Sequence, residues 1–266
     1  LSQQDDHIDS RLWPLGRTPA LLADPIVQAL AFILLVSLLF LTFPGIDPWF
    51  TGLFYEPQTG FPMSRLAAFT TLRSLTSGLL GAAVIALIAA IVIKIARPMR
   101  PTPIRPCDIV FLLSTLVIGP GVVVNVLFKE FWGRPRPGSV ELFGGEAPFV
   151  SIWQVSDYCL SNCSFVSGEA AAAIWLVAIA IVLPPRWRRV GLLVVLPLAA
   201  LLSLNRVAFG RHFLSDVLLA WGLTLLVIAV MHRIMVERPP AWLKNDRLED
   251  GLTRLGKRLR QGFGRS

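Results

Sequence analysis

Apolar positions in this chain do not alternate with polar ones or recur in short amphipathic stripes. They gather into six long runs, at residues 26–43, 75–95, 109–128, 170–183, 190–204 and 214–235. Runs of this length with few charges predict membrane-spanning helices. A helix satisfies its own backbone polar groups where no water is present to do so. The pattern therefore predicts an all-α membrane protein with six transmembrane helices in one bundle. Two runs are irregular. The third contains Gly119-Pro120-Gly121, which predicts a kink whose freed backbone groups other helices would have to satisfy. The fourth spans only about 22 Å of helix if it starts at Glu169, against a hydrocarbon core of about 30 Å. Either its helix begins before Ser167, or its start is recessed below the bilayer surface.

Composition agrees with the pattern: 54% of the residues are hydrophobic and 16% charged. The net charge of +8 would suit nucleic acid, but its distribution argues against that partner. Lys and Arg concentrate in the N-terminal tail (Arg11, Arg17), the second-to-third connection (Lys94, Arg97, Arg100, Arg105), the fourth-to-fifth connection (Arg186, Arg188, Arg189) and the C-terminal tail. In a six-span topology these segments share one side, and the positive-inside rule makes it cytoplasmic. Both termini are then cytoplasmic and the opposite face is external. The chain divides into a tail (residues 1–25), a six-helix domain (residues 26–236) and a basic C-terminal tail (residues 237–266). In that last tail Leu248, Leu252, Leu255, Leu259 and Phe263 recur at helical spacing among Arg254, Lys257, Arg258 and Arg260. This is the pattern of an amphipathic helix on an anionic lipid surface; a disordered basic tail is the alternative. Three cysteines and three histidines, with no histidine near a cysteine, predict no metal site and no cofactor. Cys159 and Cys163 fall on the external side, where a disulfide is open to them. Nothing resembles a cleavable signal peptide, and no internal repeat supports a transporter. The sequence leaves the oligomeric state open.

One feature breaks the charge rule. Lys129, Arg134, Arg136, Arg206 and Arg211 fall at the external ends of the third and fifth runs. Charges placed against topology mark function more often than lipid-boundary snorkelling. Three neighbours sharpen the reading. Ser167 and Gly168 stand at a helix N-terminus, where free amides and the dipole favour an anion. His212 and Asp216 are four apart, the spacing of one helix face, so the acid is placed to orient a histidine nucleophile. Arg206 precedes them. Cations, a helix N-terminus and an oriented histidine suit in-line attack at a phosphate group.

These residues carry a resemblance. Lys129 through Arg136-Pro137 matches Lys, six residues, Arg-Pro, and Arg206, His212 and Asp216 match Arg, five residues, His, three residues, Asp. Together they are similar to the motifs of the type 2 phosphatidic acid phosphatase superfamily, integral membrane lipid phosphatases with the active site at the external ends of helices 3–6. The resemblance implies that His212 forms a phosphohistidine, that Asp216 orients it, and that Lys129, Arg136, Arg206, Ser167 and the Gly168 amide bind the phosphoryl group. Arg134 and Arg211 match no fixed position and are candidates for a second phosphate, a head group or lipid phosphates.

The chain departs from the family's Pro-Ser-Gly-His motif, reading Val166-Ser167-Gly168-Glu169. The family histidine protonates the leaving oxygen, and a carboxylate does so only when protonated. Glu169 is therefore a substitute general acid, or the partner of a motif arginine, or the sign of a site that binds phosphate without turnover. A first-turn acid favoured by the helix dipole is compatible with each. The aromatic, Pro/Gly-rich segment at residues 45–62 suits an interfacial lid, and the string at residues 163–169 resembles Gram-negative lipid A phosphatases, especially those acting at the 4′ position. The expected substrate is thus a lipid A phosphate in the bacterial inner membrane, facing the periplasm. Undecaprenyl pyrophosphate, phosphatidylglycerophosphate and phosphatidic acid are the alternative substrates, and a phosphate-lipid binding or transport protein is the alternative class.

Overall fold

The computed structural model describes residues 23–263. Arg11, Arg17 and Arg265 lie outside the described residues. Helix α1 (Pro25–Thr42) opens on Asp24, whose carboxylate accepts from the Ile26 amide at 2.9 Å, with Pro25 at the first helical position where its missing N–H costs nothing. A short helix α2 (Ile46–Gly52) follows. Then come α3 (Ala67–Ala96), α4 (Pro106–Phe131), α5 (Gly168–Val182), α6 (Pro185–Ala208), α7 (Leu214–Glu237) and α8 (Asn245–Phe263). Helices α1, α3, α4, α6 and α7 are long and apolar enough to cross a membrane, and α5 is a shorter apolar helix. No strand forms among the described residues, only two isolated bridges. The all-α, six-helix bundle predicted from the apolar runs is the architecture observed.

Helix α5 is the centre of the bundle, packed on α3, α4, α6 and α7. Ala170, Ala171, Ala173, Ile174 and Trp175 are fully buried along it. By contrast α1 turns Leu30, Leu34 and Leu35 outward and α3 turns Ile85, Ile88 and Val92 outward, as lipid-facing helices do. The centrality of α5 explains its length. It begins at Gly168 behind a fully buried Ser167, so the helix does not start before Ser167 and its first turn is enclosed by protein. A helix surrounded by protein does not have to match the bilayer. Two indoles inside the bundle find hydroxyl partners: Trp175 Nε1 donates to Thr115 Oγ1 at 3.0 Å, and Trp221 Nε1 to Ser203 Oγ at 3.0 Å.

Helix α4 runs on through Pro120 instead of breaking there. Its turns widen to π-helical pitch over Val117–Phe128, and the Asn125 side-chain amide donates to the Pro120 carbonyl at 2.7 Å. A π-helical stretch thus accommodates the proline ring, and Asn125 of the same helix adds a donor to the Pro120 carbonyl.

Two polar clamps close the end of the bundle opposite the basic motifs. Arg233 of α7 pairs with Asp24 at 2.6 Å. The buried Lys94 of α3 donates to the carbonyls of Pro98 and Arg100 and pairs with Glu249 of α8 at 2.5 Å, while Glu249 also accepts from Thr102. The C-terminal segment is therefore a helix docked on the α3–α4 connection, not a disordered tail, and Gly256 packs directly against the Ile95 carbonyl.

Candidate active site

The motif end is built around the turn between α6 and α7. Gly210 takes a φ of +63° there, and a Cβ on it would stand 2.3 Å from the Phe61 ring, so glycine is needed for both the turn and the close approach. The turn delivers His212, 2% exposed, with Nδ1 2.7 Å from the Ser164 carbonyl. That contact puts the proton on Nδ1 and leaves the lone pair on Nε2. Burial, then the charges of Arg206, Lys129 and Arg136, hold the imidazole well below its ordinary pKa of 6.5. The ring is neutral and nucleophilic at neutral pH.

Asp216 does not touch the ring as the spacing predicted. Its Oδ2 is 3.9 Å from His212 Nδ1, too far for a hydrogen bond. The reason is local: α7 begins at Leu214, so His212 precedes the helix and the one-face geometry does not apply. Asp216 turns back to accept from the Phe213 amide at 2.9 Å and from Ser164 Oγ at 2.5 Å. It acts on His212 one residue removed, by holding Ser164.

Arg134 supplies a second correction. As a candidate head-group contact it should be accessible, yet it is fully buried. Its Nη1 pairs with Asp216 at 2.5 Å and donates to Ser215 Oγ at 2.9 Å; Nη2 pairs with Asp47 at 2.8 Å; Nε donates to the Val150 carbonyl at 2.8 Å. The Phe213 ring lies 4.5 Å beneath the guanidinium. Asp47 in turn accepts from the Ser215 amide at 2.9 Å and from its hydroxyl. A guanidinium so enclosed cannot reach a substrate. It ties α2, which carries Asp47, to the start of α7. Removing one partner from such a buried set costs roughly 3–5 kcal/mol.

The remaining cations gather around Glu169. Arg206, 4% exposed, has Nε 3.0 Å from Glu169 Oε2, and Arg73 Nε lies 3.5 Å from Oε1. The Arg206–Glu169 pair is close in distance but misaligned, so Arg206 Nε and Nη1 both lack a hydrogen-bond partner among the described residues. Unused donors on a buried guanidinium are suited to acceptor oxygens. Lys129 and Arg136 lie within electrostatic reach of Glu169. Arg136 donates through Nε and Nη2 to the Asn162 carbonyl at 3.0 and 2.6 Å, and burial and the Arg211 charge lower its pKa. Ser167 serves as the N-cap of α5, accepting from the Ala170 amide at 3.3 Å, and its hydroxyl proton remains to be donated. Gly168 packs closely on Asn125, whose side chain would have to move for a Cβ there, at 2.5 Å from its Oδ1.

Lys129, Arg136, Ser167, Gly168, Glu169, Arg206 and His212 thus converge at one end of the bundle, with Arg211 exposed at its rim. Arg73, Asp47, Ser164, Ser215 and Asn125 were not singled out from the sequence. Arg73 lies ahead of the second apolar run as the sequence delimits it, within the first turns of a longer α3. A lone arginine there was the available signal. Asp47 and Ser164 gave none, because their roles depend on partners far away in the chain.

Residues 108–240 match the PAP2 superfamily. The chain is 38% identical over 209 residues to the lipid A 4'-phosphatase of Rhizobium leguminosarum, an alignment covering 72% of this chain and 88% of the relative. It is 35% identical over 207 residues to the lipid A 4'-phosphatase of Rhizobium etli, covering 72% and 80%. It is 40% identical over 130 residues to that of Francisella tularensis subsp. novicida, covering 47% and 59%. No solved structure matches it. With half the chain in the family match and most of its length shared with those relatives, the protein is a membrane phosphatase belonging to the PAP2 superfamily.

Proposed function

We propose that the protein hydrolyses the 4′-phosphate monoester of lipid A on the periplasmic face of a bacterial inner membrane, through a phosphohistidine on His212. The observation that carries this is the pairing of a neutral, Nδ1-anchored His212 with a buried Arg206 whose donors are unfilled. The relatives' activity supplies the substrate class. Lys94, Arg97, Arg100, Arg105, Arg186, Arg188 and Arg189 lie at the opposite end, and the positive-inside rule supports a periplasmic site with cytoplasmic termini.

In this scheme the phosphoryl oxygens take Arg206 from Glu169 and are neutralised by Lys129 and Arg136 as well, with Ser167 and the first amides of α5 adding donors. The His212 Nε2 lone pair forms the N–P bond as the ester P–O bond breaks. Glu169, in its protonated form, hands its proton to the leaving sugar oxygen. A water then attacks phosphorus, Glu169 recovers a proton from it, and the N–P bond pair returns to Nε2. The balance is ester plus water giving alcohol plus phosphate. Asp216, Ser164, Arg134 and Asp47 hold the nucleophile in place.

The test is phosphate release by purified protein from a panel of lipid A, undecaprenyl pyrophosphate, phosphatidylglycerophosphate and phosphatidic acid, with products read by mass spectrometry. Lipid A is the expected best substrate, and His212→Ala should lose at least 10³-fold. Glu169→Gln should lose 10²-fold or more on the lipid but little on an aryl phosphate, whose leaving group needs no proton. Full activity of Glu169→Gln on both would leave Glu169 only as the partner of Arg206. No release from any lipid would sink the enzymatic reading.

A further inference from the structure

Beside the phosphate site lies a cavity of about 320 Å³. Arg136, Arg211, Ser139, Ser161, Asn162 and Tyr158 line it, and no carboxylate does. Arg136 belongs to both places: it is a cation of the phosphate site and one wall of the cavity. Arg211 stands next in sequence to the nucleophile, and its side chain is exposed with no hydrogen bond or ion pair to any described residue. Its backbone is fixed all the same, with its amide on the Arg206 carbonyl at 3.2 Å. The guanidinium therefore lines an open depression whose other polar groups are the Arg136 guanidinium, hydroxyls and an amide. Two guanidiniums in a lining that holds no carboxylate recognise an anion, and hydroxyls of serine and tyrosine recognise hydroxyls.

We infer that this cavity binds a second anionic group of the substrate together with the sugar that carries it, and that Arg211 is the specificity-determining contact. The inference rests on the saccharolipid reading above and deepens it. The reacting phosphate goes to His212 and Arg206. The second anionic group, on the same hydroxyl-bearing head group, goes to Arg211, with Arg136 between the two. Arg211 touches no reacting atom, so its contribution is to substrate affinity and not to the chemical step.

The test compares Arg211→Gln with the wild-type enzyme on two disaccharide lipids, one carrying both phosphates and one carrying only the phosphate that is cleaved. The expected result is a KM about tenfold higher for the bisphosphorylated lipid, the scale of one lost charge-assisted contact. Its kcat, and both constants for the monophosphorylated lipid, stay as in the wild type. An equal rise for both lipids would place Arg211 at the reacting phosphate or at the bilayer surface and overturn the inference, as would no change for either. A second arm needs no turnover. Thermal stabilisation of the full-length protein by glucose 1,6-bisphosphate and by glucose 6-phosphate is measured for both proteins. Tighter apparent binding of the bisphosphate, abolished in Arg211→Gln, supports the second subsite even if the wild type spares saccharolipids, in which case only the substrate reading falls. Equal affinities in the wild type overturn the subsite.

Discussion

Ser164 does for His212 what the His–Asp spacing seemed to assign to Asp216. The sequence placed nucleophile and acid four residues apart, and a helical reading made them direct partners. The helix starting at Leu214 separates them, and the carbonyl of Ser164 takes the ring proton while its hydroxyl takes Asp216. Histidine and aspartate were legible because each is a chemical type; the link between them was not, because a backbone carbonyl has no sequence signature. Arg134 was misread for a related reason. A basic residue among basic residues looks like more of the same cluster, and only its distant partner Asp47 reveals it as a buried tie. The residue-scale prediction concerns protonation. Burial and three nearby cations depress the His212 pKa, so the ring stays neutral as the pH falls through 6.5 and gains its proton only well below that value. Protonation removes the Nε2 lone pair, so under the proposed mechanism activity is lost on the acid side of that lower pKa and retained above it. The substrate's own second ionisation, near about 6, would confuse a rate profile. The check is therefore the ring ¹⁵N shift of His212 in the free enzyme, titrated with His232→Gln to simplify the spectrum. A midpoint at or above 6.5 contradicts the assigned electrostatics.

At the scale of elements, the segment before α5 decides how the motifs meet. Cys159 and Cys163 form a disulfide with Cα atoms 5.7 Å apart, settling a pairing that the sequence left open. The loop it closes carries Asn162, the acceptor for Arg136, and ends next to Ser164, the acceptor for His212. The Cys163 amide also donates to the Lys129 carbonyl at 3.2 Å, and the Ser164 amide to the Arg134 carbonyl at 2.9 Å. One strap thus registers α4's basic end against the α6–α7 turn. Closing so short a loop is worth about 2 kcal/mol by chain entropy, small beside the packing of six helices, and the effect is local. A Cys159→Ser/Cys163→Ser double variant should keep a melting temperature within a few degrees of the wild type while kcat/KM falls about tenfold. Unchanged kinetics would show that the strap holds its register without the bond. The elements themselves were readable from the long apolar runs to within a few residues for α1, α5 and α7. The π pitch of α4 was not, since Pro120 announces a disturbance without saying how the turns around it will be wound.

For the whole molecule, charge polarity is the organising property: one end concentrates cations around the proposed phosphate site, and the other spreads them over a broad surface. Helix α8 belongs to the second end. Its inward side is fixed by Glu249 on Lys94 and Thr102 and by Gly256 on α3. Its other side leaves Leu255 and Leu259 exposed beside Arg254, Lys257 and Arg258, with Trp242 exposed just ahead of the helix. Apolar groups and cations on one exposed side suit the interface of an anionic leaflet, where each Lys or Arg near the surface contributes about 1 kcal/mol. Because α8 also clamps the α3–α4 connection, lipid binding there should stiffen the base of α4, whose far end carries Lys129. The prediction is that hydrogen exchange of α8 slows at least tenfold in nanodiscs containing phosphatidylglycerol relative to phosphatidylcholine alone. An Arg254→Gln/Lys257→Gln/Arg258→Gln variant should lose that difference, and raising the salt should weaken it in the wild type. Equal exchange in both lipids would mean that α8 is held by the protein alone and that the basic face serves topology, not lipid recognition.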